Sequence, residues 1–321
     1  MLTSDIDQKS RLWNIGDSVF EAAPETGARL MRWRYRGREV LHWPNDAASD
    51  EIAEVWGGNP ILFPFPARCF VEGEPYRWIS PDGISRPMPM HGIARQGTFL
   101  VTAESRTAFT ATFQPEQEAR QAYPFLYTFS VTYHFSANGF TCDLVLENND
   151  TQAIPWCAGH HFFFALPLVP GLSRSEHSLS IDADRACVAG LSTKGRIVDR
   201  APFKSPVTLD EPGLADAVIH CALRSHEAVL NSETGSMSIV VRHQRSVLAD
   251  AHAAFVTWSP ADAPFYCVEP WMGPSNATEH GHGLHYVAPG ERAAFSVEVE
   301  ARLSAPDPSE DARTSRPRAG I

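Results

Sequence analysis

The feature that most constrains this chain is a two-residue alternation sustained across residues 125–147. Phe125, Tyr127, Phe129, Val131, Tyr133 and Phe135 fall on one side of an extended backbone, and Ser130, Thr132, His134 and Ser136 on the other. Successive strand side chains point to opposite faces, so β-structure gathers the aromatics on one face where a helix would scatter them. After Ala137-Asn138-Gly139 the pattern resumes with Phe140, Cys142, Leu144 and Leu146 against Thr141, Asp143, Val145 and Glu147, which predicts a hairpin. Met31, Trp33 and Tyr35, interleaved by Arg32, Arg34 and Arg36, predict another strand with a strongly basic outer face.

Further β-like runs cover 97–103, 108–113, 154–166, 179–183, 217–223, 237–242, 253–259, 265–269 and 293–302, while only 45–55 and 115–123 suit short helical turns. Many strands with few helices predict an all-β sandwich or barrel. A 43% apolar fraction with 18 Phe, 8 Trp and 7 Tyr is enough for a large core and excludes global disorder. Neither a fixed-period repeat nor a Gly/Ser linker divides the strands, so residues 1–303 read as one domain. Residues 304–321, rich in Pro, Ser and charge, read as a disordered tail.

A formal charge of −11 argues against a nucleic-acid partner, which needs a basic surface to replace counterions. No run of 18 apolar residues and no export-type N-terminus occurs, so a soluble, cytoplasmic chain with no membrane partner is expected. The six cysteines, Cys69, Cys142, Cys157, Cys187, Cys221 and Cys267, form no Cys-x-x-Cys pair and read as mostly buried, reduced thiols.

Four segments set ionisable residues inside apolar, Pro/Gly-punctuated runs. Residues 56–68 end in Arg68, and three prolines within the seven positions 60–66 make a rigid, aromatic-lined loop suited to a pocket wall. In 89–95, Gly92 allows a tight turn beside His91, which taken alone reads as a surface or supporting histidine. In 158–164, alternation sends His160 and His161 to opposite faces, so only one can enter a given cavity and the two are poorly placed for one metal. In 267–274, Glu269 ends an apolar strand and is held extended by Pro270. A strand-end glutamate is usually exposed, but Trp271 nearby suits the apolar face of a sugar and turns the reading toward a binding site. His280, His282 and His285 lie among glycines without a cysteine or carboxylate at ligand spacing, and read as a flexible solvated loop rather than a metal site.

In this order, residues 57–68, 90–95 (MHGIAR), 159–164 (GHHFFF) and 268–274 (VEPWMGP) resemble the aldose 1-epimerase, or galactose mutarotase-like, family across about residues 15–302. The resemblance implies a β-supersandwich with a sugar cleft and interconversion of the α and β anomers of free sugars. It places the family's histidine on His161 and its catalytic carboxylate on Glu269. His91, Arg68, Arg95 and Trp271 become candidate sugar contacts, and Asp216, on a short match, a holder of ring hydroxyls. Where the family often has Asn-Arg this chain has Ala67-Arg68, which keeps the cation and loses its polar neighbour.

Opening a pyranose requires a base at the anomeric hydroxyl and an acid at the ring oxygen, so no cofactor or metal is expected. The expected roles are ionised Glu269 as base and protonated His161 as acid, each charge favoured by the other, with His91 stabilising developing charge. Arg68, Arg95 and Arg86, expected beside the cleft, keep open a phosphorylated or sulfonated sugar as substrate, and a non-catalytic sugar-binding protein is a further alternative.

Overall fold

The alternation read from residues 125–147 becomes the hairpin at the centre of the molecule. In the computed structural model, which describes residues 10–47, 52–233, 235–244 and 252–303, strand Tyr127–Phe135 pairs with Gly139–Asn148 without a register break. Phe129, Val131, Tyr133, Phe140, Cys142, Leu144 and Leu146 are all buried, so the aromatic face is the core face.

One layer grows from this hairpin through Ala108–Gln114 and Thr98–Glu104 on one side, and through Arg292–Leu303 and Met237–His243 on the other. A second layer runs through Arg11–Ile15, Ser18–Ala23, Arg29–Tyr35, Arg38–Leu41, Phe162–Ala165, Phe265–Trp271 and Ala254–Trp258. The long strand Val218–Ser232 joins them, pairing at one end with 255–257 and at the other with 238–242. All these pairings are antiparallel. The layers meet face to face: Phe140 of the first stands edge-on to Trp33 of the second, with ring centres 5.6 Å apart, and packs 5.8 Å from Phe162. The core runs continuously from Trp13 to Ala301.

The all-β expectation therefore holds, and helix is confined to short pieces. Gln117–Ala122 forms inside the 115–123 window, and a single turn, Ile52–Glu54, inside 45–55. A second helix, Ala277–His280, was not foreseen. It follows buried Asn276, whose side chain accepts from the Phe70 N–H at 2.9 Å and donates to the Gly195 carbonyl at 3.2 Å. Such long-range ties leave no local periodicity to read. The segment expected as a flexible histidine loop is thus a helix, a turn and a strand, His285–Val287, paired with Ile154–Trp156.

The strongly basic outer face at Arg32, Arg34 and Arg36 is also corrected. Arg32 lies 3.7 Å from Glu21, Arg34 3.6 Å from Glu39, and Arg36 2.8 Å from Asp17, so carboxylates on adjoining strands and turns neutralise it. All six cysteines carry free thiols. Among the described residues no helix is long and apolar enough to cross a membrane. The segment 304–321 lies outside the described residues.

Candidate active site

Strand register builds the site. On the outer face of the second layer, the pairings set Gly159, Trp271 and Ala254 in one row and Phe163, Cys267 and Trp258 in another. Between these rows, Val256 is opposite Glu269, and His161 falls on the other flank of Glu269 by alternation from Gly159 and Phe163. The adjacent His160 points the other way, into the core, stacked between Phe162 and Phe295. Gly159 is needed in its row, because a Cβ there would lie 2.5 Å from the Trp271 ring that leans across it.

Around this floor, loops from 55–60, 67–68, 90–95 and 271–275 close a cleft of about 370 Å³. His161 and Glu269 sit at its bottom, 8% and 2% exposed, with Nε2 and Oε1 3.4 Å apart. The separation exceeds an ordinary hydrogen bond and leaves each group free to turn to a ligand. Glu269 Oε2, His161 Nδ1 and Trp271 Nε1 are all buried without a hydrogen-bond partner. Buried polar atoms are normally satisfied, so three orphans around one cleft mark a site that a polar ligand would complete.

Burial sets the protonation of the pair. Desolvation holds the Glu269 carboxyl well above the usual carboxylate range, opposed by the Trp271 indole N–H, which lies near it without meeting it in a full hydrogen bond. Desolvation, joined by nearby His91 and Arg29, holds the His161 imidazole well below the usual histidine range. The expectation that each group would favour the other's charge is thus corrected: burial works against the charged form of both.

His91 reaches the cleft through strained backbone. Both His91 and Gly92 are left-handed, at φ +67° and +80°, and Gly92 forms a parallel bridge with Phe63. The Ala67 N–H donates to His91 Nδ1 at 3.2 Å, which fixes the neutral imidazole with its proton on Nε2. Burial, together with Arg95 and Arg68, lowers the pKa of His91 to about 3, so it offers a neutral N–H donor. Its ring lies 5.3 Å from that of His161 and 6.4 Å from that of Trp271.

Of the other residues singled out from sequence, Arg68, Arg95 and Trp271 line the cleft. Arg68 donates through Nε to the Tyr76 hydroxyl at 3.0 Å, and Arg95 Nη2 is 4.0 Å from Glu54. Asp216 is exposed and is not on the wall, which its neighbour Ala217 joins instead. Arg86 is also off the wall, turned to Asp82 at 2.5 Å. Among the described residues no group of three or more histidine, cysteine or acidic side chains is arranged to hold a metal.

Three contributors were not named individually from the sequence, although two of them, Trp56 and Asn59, lie in the segment 56–68 expected as a pocket wall. Trp258 stands edge-on to His161, ring centres 6.5 Å apart, and Trp56 stands edge-on to Trp258 at 5.5 Å. Asn59 lies beneath the cleft: its Oδ1 accepts from the His161 N–H at 3.1 Å, while its Nδ2 donates to the Tyr133 hydroxyl at 2.7 Å and to His160 Nδ1 at 3.1 Å. An asparagine inside a proline-rich loop was the only signal for it.

A family model described as aldose 1-epimerase matches residues 20–300. No curated protein matches the sequence. Among solved structures, the Slr1438 protein from Synechocystis sp. superposes with a TM-score of 0.76 at 18% identity, covering 94% of this chain and 100% of that one. A galactose mutarotase related enzyme from Lactobacillus acidophilus gives 0.76 at 19% identity, covering 93% and 99%. A galactose mutarotase-like protein from Lactobacillus casei gives 0.71 at 22% identity, covering 91% and 100%. At these identities the structural likeness speaks for the fold.

Proposed function

This chain belongs to the aldose 1-epimerase family, and on that premise we propose that it interconverts the α and β anomers of a free aldohexose by acid/base ring opening. The observation that carries the reading is the buried pair at the cleft floor, His161 Nε2 and Glu269 Oε1, 3.4 Å apart, with Glu269 Oε2 and His161 Nδ1 left without a hydrogen-bond partner. In this reading the two groups share one proton. A bound sugar supplies hydroxyls that replace the missing hydration of Glu269, which favours the tautomer with ionised carboxylate and protonated imidazole at the same proton count.

From that tautomer Glu269 takes the O1 proton while His161 gives its proton to O5. The C1–O5 bond breaks as the C1=O1 carbonyl forms, C1–C2 rotates, and closure on the other face returns both protons. The His91 Nε2–H stabilises charge on a sugar oxygen, and Trp271 backs the apolar face of the ring. Exchange NMR of glucose and galactose anomers tests this: Glu269→Gln and His161→Ala should each slow exchange by about 10³-fold. A variant that equilibrates the anomers at the parent rate removes its residue from the chemistry.

A second reading, an anionic sugar, is favoured by the two guanidinium groups on the wall. Arg68 has no carboxylate partner among the described residues and Arg95 only a distant one, so both forks can take a phosphate or sulfonate. Faster exchange of glucose 6-phosphate than of glucose, with competitive inhibition by inorganic phosphate, would select it.

A further inference from the structure

The strand His177–Val188 runs antiparallel to Val218–Ser232, and their register sets Cys187 opposite Ile219 and Cys221 opposite Arg185. Cys187 and Cys221 are therefore diagonal neighbours on one face of the pair. Their sulfurs are 3.7 Å apart: the Cys187 S–H is placed to donate to Cys221 Sγ, whose own S–H is directed at the Ile219 carbonyl, 3.8 Å away. The other four thiols, Cys69, Cys142, Cys157 and Cys267, are fully buried, and desolvation raises the pKa of each, which keeps them unreactive. Cys221 alone of the six is only partly buried. The hydrogen bond from Cys187, helped by Arg185, lowers the pKa of its thiol against desolvation, and the same contact raises that of Cys187. An accessible nucleophile thus stands against a protected second thiol, the pairing that thiol–disulfide exchange requires.

A sulfur–sulfur bond would draw these atoms together by about 1.7 Å. The backbone can take up that movement beside the pair, because Ala222, next to Cys221, is held at φ +51°, a strained conformation for a residue with a Cβ. The movement also reaches the cleft. Ile219 is on the cleft wall, as are Ala189 and Ala217 where the two strands end. Behind that wall Cys187 and Ile219 pack with Val256 and Trp271 in one buried cluster.

We propose that Cys187 and Cys221 form a thiol–disulfide modification site for low-molecular-weight disulfides such as oxidised glutathione, and that closing it reshapes the cleft wall at Ile219 and so alters sugar binding. The second half rests on the cleft being the sugar site; the first does not. The Cys221 thiolate attacks one sulfur of the small disulfide, forming a mixed disulfide and expelling one glutathione thiolate, which takes up the Cys221 proton. Cys187 then attacks Cys221 Sγ and expels the second glutathione thiolate, which takes up the Cys187 proton. Two protein thiols are oxidised to one disulfide, and one small disulfide is reduced to two thiols.

The test treats the folded full chain with oxidised glutathione and maps its thiols by mass spectrometry. The parent should lose two thiols, gain a Cys187–Cys221 cross-link and recover both thiols with dithiothreitol. Cys187→Ser should stop as a glutathione adduct on Cys221, and Cys221→Ser should take up nothing at this pair. A parent without the cross-link after oxidation, or one whose six cysteines all react at the same rate, would overturn the site. In exchange NMR of glucose anomers, oxidation of the parent should change KM by about threefold or more and kcat by less than about twofold. Dithiothreitol should reverse the change, and Cys221→Ser should not show it. Glucose titration followed by tryptophan fluorescence reads the same coupling without catalysis. A redox-dependent affinity in a protein that exchanges no anomers would end the catalytic reading and leave the switch standing; equal affinity in both states would end the switch.

Discussion

Asn59 orients three groups with one side chain. Its carbonyl holds the His161 backbone, and its amide joins the Tyr133 hydroxyl to the buried ring of His160. The histidine pair was half legible in the sequence: alternation alone sends one to the core and one to the cleft, and the register keeps that division. Asn59 was not legible, because its partners lie 74, 101 and 102 residues away. Trp258 was hidden for the same reason, since only strand pairing brings it beside Phe163. Asn59→Ala leaves a buried N–H, a hydroxyl and an imidazole nitrogen short of a partner, at about 1–3 kcal/mol each before relaxation. We expect a net loss of about 3 kcal/mol in urea unfolding, and a fall in kcat of about tenfold with KM little changed, because the imidazole loses its anchor while the sugar contacts stay. A variant as stable and as fast as the parent would show that Asn59 anchors nothing.

At the scale of elements, strands were readable and the turns between them only in part. Where neighbours alternate, as in 127–135 and 139–148, the hydrophobic period alone specifies both strand and buried face. The His91-Gly92 turn could be suspected from its glycine, but its purpose lies in the approach of another loop. A Cβ on Gly92 would sit 2.0 Å from the Phe63 carbonyl oxygen and 2.8 Å from the Pro64 nitrogen, on backbone that is already left-handed. That loop is itself pinned, because Phe63 stacks on Phe129 of the central hairpin with ring centres 3.8 Å apart. Backbone meets backbone here, so no rotamer change can relieve the clash. Gly92→Ala should therefore cost about 3 kcal/mol or more and lower the melting temperature by about 6 °C or more, read by calorimetry. Anomer exchange in the surviving folded fraction should fall too, as His91 moves with the turn. An unchanged melting temperature would contradict the close approach.

Across the whole molecule, closing two layers over one aromatic core has buried imidazoles far from the cleft as well as in it. His160 and His243 have pKa values lowered to about 3, and His220 to about 4, with desolvation the largest cause in each. The remaining contributions are His243 acting on His160, His226 on His243 against a hydrogen bond to the Ala254 carbonyl, and Arg200 on His220. In the unfolded chain each of these rings takes a proton near pH 6.5. Below that pH the unfolded state binds more protons than the folded one, so stability falls as the pH falls, down to the depressed folded values. With His91, lowered to about 3 in the cleft, four such groups give a slope of about 5 kcal/mol per pH unit, or about 6 kcal/mol lost between pH 6.5 and 5, while the opposite shifts of His161 and Glu269 offset one another. Against a total of about 5–15 kcal/mol, that is enough to bring the molecule near unfolding well above the pH at which most carboxylates protonate. Urea unfolding at half-unit steps from pH 7.5 to 5 should show this slope, and His243→Gln, whose amide can still donate to the Ala254 carbonyl, should reduce it by about a quarter. A flat profile between pH 7 and 5 would mean that these rings are hydrated in the folded state, and the close contact of the two layers around them would have to be abandoned.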